Sequence, residues 1–211
     1  MKKGFLVAAL FAVVSMANAQ EASQEAIYGV KSGIITMSMD FGGNAMTTTT
    51  YFDDYGRKQA NVSDFGGQKS RSIVVKGETI MVNDEAKTAT RMPGMMGGGM
   101  MGGGSSVNFM KLNDEVIKAN NIKELGEETI AGKPCKKYSM SVSMMGQSQT
   151  QTVWVYQGIT LKSSSQSDFG AMERTASKFE ENATIPASMF EIPEGVKIQD
   201  MDMNMMMGGG F

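Results

Sequence analysis

Methionine is the residue whose type and spacing in this chain most invite chemistry. The segment Met92 to Gly104 reads MPGMMGGGMMGGG, and the end of the chain from Met201 reads MDMNMMMGGGF. Thioethers are soft ligands that select Cu(I). Either Met95, Met96, Met100 and Met101, or Met201, Met203, Met205, Met206 and Met207, supply enough sulfurs to surround one such ion. Nothing in the spacing fixes a coordination geometry, so a second reading stands beside it. In that reading both segments are low-complexity chain that binds nothing specific or touches a membrane or partner.

The remaining reactive side chains point away from catalysis. Histidine is absent, which removes the commonest general base and nitrogen ligand, and with them Ser-His-Asp, Cys-His and ordinary zinc chemistry. Cys135 is the single cysteine, so no internal disulfide forms, and its strand-like surroundings predict a buried, inert thiol. The pairs Asp53-Asp54, Glu127-Glu128 and Glu180-Glu181 fall at turns or strand ends, where solvated charge is the ordinary state. None has glycosidase or metal-carboxylate spacing. The glycine-rich stretches lack the Lys and Ser/Thr of a phosphate loop. We expect a non-enzyme with no cofactor.

A different chemistry, that of apolar ligands, is written in two alternating runs. Ile35, Met37, Met39 and Phe41 share one face of a strand, with Thr36, Ser38 and Asp40 on the other. Tyr138, Met140, Val142 and Met144 share a face opposite Ser139, Ser141 and Ser143. Unbranched, polarizable Met side chains adapt to ligands of varied shape, as an acyl-chain site requires. Period-two apolar faces also fill any closed sheet core, and both readings stand at this point.

The elements that carry these residues read as a mainly antiparallel β fold. Period-two patterning predicts strands over about 34–41, 45–52, 57–65, 70–75, 78–82 and 87–92, and then over about 122–130, 135–144, 150–156, 160–166 and 172–180. Gly- and Asn-rich spacers separate them. Helical crossovers are missing, which disfavours a parallel sheet. One helix is predicted, capped by Ser106 and carrying Phe109, Leu112, Val116 and Ala119 to the Asn120-Asn121 stop. A short turn from Pro186 is expected to place Phe190 on the sheet. The two Met/Gly segments, 92–104 and 201–211, have neither period and are expected to be flexible.

The beginning of the chain has the pattern of an export signal. Lys2 and Lys3 precede an apolar run from Phe5 to Val14 and the triplet Ala17-Asn18-Ala19, so residues 1–19 are expected to be cleaved and the mature chain to start at Gln20. No Cys follows the run to take a lipid anchor, and a soluble periplasmic domain over 20–200 is expected, as a monomer. Cleavage takes the basic count from 20 to 18 against 22 acidic residues, a net of −4. Without a basic cluster, nucleic acid is not an expected partner.

Three local patterns carry a family resemblance. Lys76-Gly77-Glu78-Thr79-Ile80-Met81-Val82-Asn83-Asp84-Glu85-Ala86-Lys87 resembles the G-x-T-apolar-x-apolar-turn-x-x-K hairpin of the periplasmic lipoprotein carriers of the LolA and LolB type and their secreted relatives. The run from Val153 to Lys162, VWVYQGITLK, is similar to their W-V-x-x-x-G-x-x-x-K hairpin, and Ile185 to Ile198, IPASMFEIPEGVKI, to their closing P-x-x-x-F-x-x-P-x-G element. The resemblance implies a strongly curved, half-open antiparallel sheet with one or two covering helices and a concave apolar face that takes a lipid or lipoprotein acyl chain. It also implies transient membrane or envelope-protein contact. Arg57 is the candidate for the family's helix-latching arginine.

Overall fold

The computed structural model describes residues 26–41, 44–65, 67–75, 78–92, 107–144, 147–167 and 170–201. The expected leader, the Met/Gly segment beyond Met92 and the tail beyond Met201 lie outside the described residues. Alternation of apolar with Ser, Thr and Asn side chains produces a meander of strands: β1 (Gly33–Phe41), β2 (Asn44–Asp53), β3 (Lys58–Phe65), β4 (Gln68–Val75), β5 (Glu78–Asn83) and β6 (Thr88–Met92). The second half continues with β7 (Lys123–Ile130), β8 (Lys133–Met144), β9 (Gln147–Tyr156), β10 (Ile159–Ser167), β11 (Gly170–Glu181) and β12 (Lys197–Asp200).

All twelve belong to one sheet, in the order β12-β6-β5-β4-β3-β2-β1-β11-β10-β9-β8-β7. The two halves of the chain join where β1 pairs with β11, Ile35 opposite Phe179 and Met39 opposite Arg174. Every pairing is antiparallel except that of β12, which runs parallel to β6 with Ile198 opposite Ala89. Among the described residues the two edge strands do not pair with each other, so the sheet stays open. The β7 edge carries a bulge between Glu124 and Gly126 and a row of charged side chains, which discourage pairing with another chain.

One end of the sheet is curled and closed. Cα atoms of β7 and β11 come within 8 Å of each other, whereas strands four places apart in a flat sheet are separated by roughly 19 Å. Bulges between Thr36 and Met37 in the β1–β11 pair, and between Thr160 and Lys162 in β10–β9, supply the extra twist. The closure is fastened by Lys133 Nζ, 2.7 Å from Glu181 Oε2 and lying over the rings of Tyr156 and Phe179. Phe52, Phe179, Leu161, Ile35 and Met37 fill the end from within.

Residues 27–32 stitch that closed end together. Ile27 and Tyr28 N–H groups both donate to Tyr55 O at 3.0 Å, and Gly29 N–H donates to Gln157 O at 2.9 Å. The Tyr28 ring meets Phe52 edge-on at 5.0 Å, and burial pushes its hydroxyl pKa up to about 12. Two glycines make room: a Cβ on Gly56 would stand 2.6 Å from the Tyr28 ring, and one on Gly158 would stand 2.7 Å from Ile27 O. Both have positive φ, so a side chain would be strained as well as crowded.

The helical elements depart from the sequence expectation. Instead of one helix beginning near Ser106, a 3-10 turn covers Phe109–Lys111 and a short helix α1 covers Asp114–Ala119. Two asparagines interrupt the run: Asn108 accepts from Met110 N–H and Asn113 from Val116 N–H, each acting as a cap. Leu112 between them is extended. The turn from Pro186 is a 3-10 helix, Ala187–Phe190, with Phe190 buried. Beyond it Ile192 and Val196 pack on Ile73, Val82 and Ala89, and this packing delivers the chain to β12, a strand the alternation pattern did not reveal.

The hydrogen bond from Lys133, with a second from Tyr156, holds the Glu181 carboxyl below its ordinary value of 4.5. A depressed folded-state pKa stabilises the fold above the unfolded value and is lost as pH falls through the folded one. Urea midpoints measured downward from pH 4.5 should therefore fall more steeply for the natural chain than for Glu181→Gln; equal slopes would rule out this fastening as a source of acid sensitivity.

Candidate binding face

Cross-strand partners define a row that crosses seven strands on one face of the sheet: Tyr138–Val153–Ser163–Arg174–Met39–Met46–Phe65. The segment that includes α1 lies on this face, because Val107, Phe109, Leu112, Val116, Ile117 and Ile122 pack on Tyr138, Met140, Val153 and Val155. Phe109 and Tyr138 rings stand 5.4 Å apart. Ser141 N–H donates 2.8 Å to Asn120 O and ties the end of α1 to β8.

The two apolar runs singled out in the sequence therefore have different surroundings. Ile35 and Met37 are consumed by the closed end, and Tyr138 and Met140 by the α1 segment. Met39 is half-buried, and so is its cross-strand partner Met46. The side chains of Phe41, Val142 and Met144 lie outside the described residues, as do all the metal-candidate methionines except Met201. That residue is half-buried, its N–H donating 3.1 Å to Arg91 O.

Between the two packed regions the face is only partly covered. Met39, Met46 and Arg174 are half-buried and Met172 is 36% exposed. Burial of the Arg174 guanidinium lowers its pKa from the usual arginine value. Arg174 was not singled out in the sequence, where it falls only within the expected 172–180 strand. The signal was its register, since Met172, Arg174 and Ala176 alternate onto one face of β11. Arg57, the latch candidate, bonds Asp54 in the turn before β3.

Trp154, part of the closed-end core, lies between Lys137 and Lys162, its direct cross-strand partners, each 4.8 Å from the ring centre. Its Nε1–H donates to Glu128 at 2.6 Å. Stacked cations and a carboxylate satisfy this ring internally. Cys135 is fully enclosed, its Sγ–H donating to Lys133 O at 3.4 Å, and burial pushes the thiol up to about 11. Among the described residues no three His, Cys, Asp or Glu side chains gather to hold a metal, and no helix is long and apolar enough to cross a membrane.

No family model and no curated protein matches the sequence. Solved structures do match by shape. An uncharacterized conserved protein from Thermus thermophilus is similar with a TM-score of 0.53 and 8% identity, over 82% of this chain and 91% of that one. A chain in the Pseudomonas aeruginosa MucA/MucB complex is similar with a TM-score of 0.52 and 13% identity, over 79% of this chain and 57% of that one. MucB alone gives 0.50 and 12%, over 82% of this chain and 61% of that one. This chain thus spans little more than half of the MucA/MucB match. What is shared is the fold.

An enclosed thiol of raised pKa is a poor nucleophile. Iodoacetamide should leave Cys135 unmodified in the native protein at pH 8 and label it fully in urea; rapid native labelling would contradict the enclosure.

Proposed function

We propose that this chain is a non-catalytic carrier that holds a lipid or acyl chain on the α1-bearing face of its sheet, exported to the periplasm by residues 1–19. The observation that carries this reading is the half-covered stretch Met39–Met46 with Met172. It lies between a filled end and a helix-covered end on a sheet that does not close. Apolar surface left between packed regions marks a binding site more often than a defect of packing. Methionine suits such a surface because it reshapes itself around a chain of any length.

The closed end has a part in this role. Phe52, Phe179 and Leu161 already fill it, so a ligand enters beside them without having to open the core. The α1 segment bounds the other side through Tyr138 and Met140. In this reading Ile35, Met37, Tyr138 and Met140 are the walls and Met39 is the floor. Lipoprotein acyl chains and free lipids are equally suited to the surface. The fold shared with MucB and the resemblance of the 76–87, 153–162 and 185–198 patterns to the lipoprotein carriers support the reading, and membrane or envelope-protein contact follows from how such a ligand is delivered.

Native mass spectrometry on protein taken from the envelope of its own host tests the proposal. A lipid-mass adduct that gentle organic extraction removes is expected. The double variant Met46→Glu/Met172→Glu should lack the adduct while its unfolding free energy stays within about 1 kcal/mol of the natural chain, as half-exposed positions allow. A bare polypeptide mass both before and after extraction would overturn it.

A further inference from the structure

The β12 end of the same face gathers methionines of its own. Register carries one row from Ile35 through Thr50, Asn61 and Ser72 to Met81, Thr90 and Gln199. Met81 therefore shares the face of Met39 and Met46, three strands beyond Met46. Met92 follows Thr90 by one pleat on β6 and stands opposite Thr79. Met201 follows Gln199 by one pleat, and its N–H donates 3.1 Å to Arg91 O, which sets it beside Met92. Adjacent strands lie roughly 4.8 Å apart, and a diagonal pair such as Met81 and Met92 stands about 7–8 Å apart, within reach of long side chains. Met92 is buried, and Met81 and Met201 are half-buried. Unlike Met37 and Met140, none of the three belongs to an apolar cluster of the described residues.

The opposite face holds this corner in register. Arg91 reaches Asp200 on β12 at 2.8 Å and Glu78 on β5 at 3.4 Å, and Ile73, Val82 and Ala89 pack there with Ile192 and Val196. Because β12 runs parallel to β6, the two strands end side by side and point the same way. Met92 opens one methionine-rich run of the sequence and Met201 opens the other. The parallel pairing thus joins the starts of two runs that lie more than a hundred residues apart. We propose that Met81, Met92 and Met201 form a three-thioether site for a single Cu(I) ion. Neutral, soft sulfurs select Cu(I), whereas Cu(II) and Zn favour imidazole and hard cations favour carboxylates. Histidine is absent from the chain, and among the described residues no three His, Cys, Asp or Glu side chains gather to compete for the ion. The adjoining positions on this face, Thr79, Thr90 and Gln199, are uncharged. The site lies apart from the stretch assigned to lipid and does not depend on the carrier reading.

Anaerobic competition of the mature protein with bicinchoninate, a coloured chelator of Cu(I), tests the site. The runs beyond Met92 and Met201 carry further sulfurs, so the telling variant is Met81→Leu, a swap of similar volume at a position outside both runs. Met81→Leu and Met92→Leu should each weaken Cu(I) binding about tenfold or more, the loss of one ligand in three. Met140→Leu, at a buried methionine outside the site, should leave it unchanged. Replacing every methionine of 95–101 and 203–207 by Leu should keep one ion bound with affinity within about threefold of the natural chain, and X-ray absorption on that variant should show sulfur-only coordination. No Cu(I) binding by the natural chain overturns the proposal, as does an affinity that Met81→Leu leaves unchanged. Loss of the ion from the variant lacking the two runs assigns binding to those runs, and equal weakening by Met81→Leu and Met140→Leu assigns the effect to packing; either result also overturns it.

Discussion

The approach of β7 to β11 is the constraint on which the rest of the structure depends. A long antiparallel sheet twists, and unless it curls it leaves both faces wet. Here five successive strands curl at one end, two bulges supply the bend, and the Lys133–Glu181 pair with Tyr156 and Phe179 fixes the closure. The ion pair is half-exposed and adds little by itself; the buried aromatic and aliphatic side chains beneath it do most of the stabilising. The same closure explains why residues 27–32 are ordered, since they bond to turns from both halves of the chain.

Curling one end of an open sheet leaves the other apolar stretches with unequal fates. Ile35 and Met37 are drawn into the closed core, and Tyr138 and Met140 are covered by a segment whose own helix is only Asp114–Ala119. So short a helix is not stable alone. It is held by its asparagine cap and by the apolar contacts of Val116 and Ile117 with the sheet. Its length limits how far the covering extends, and Met39, Met46, Met172 and Arg174 lie past that limit. The half-covered stretch is therefore a consequence of how little helix the described residues place on the sheet.

Most of the fold was legible because period-two alternation is a local signal. The runs Ile35–Phe41 and Tyr138–Met144 lie within strands β1 and β8, and the glycine-rich spacers fall between strands. β12 was not legible, since its four residues are exposed and gain their pairing only from β6, more than a hundred residues earlier. The helix start was misplaced because Asn108 and Asn113 compete for backbone N–H groups that apolar spacing assigned to one continuous helix. On the candidate face, alternation grouped Ile35, Met37 and Met39, and Tyr138 and Met140, but could not say which of them a distant segment would cover. Arg174 drew no notice in the sequence, because its place beside Met172 and Ala176 on one face shows only in the register of β11.

The most direct test of an uncovered, ligand-holding face is methyl NMR on the mature protein with 13C-labelled methionine, titrated with oleate below its micelle concentration. Saturable shifts, largest at Met39, Met46 and Met172 and smaller at the buried wall residues Met37 and Met140, are the expected result. Shifts confined to the Met/Gly segments, or none at any methionine, would contradict the account.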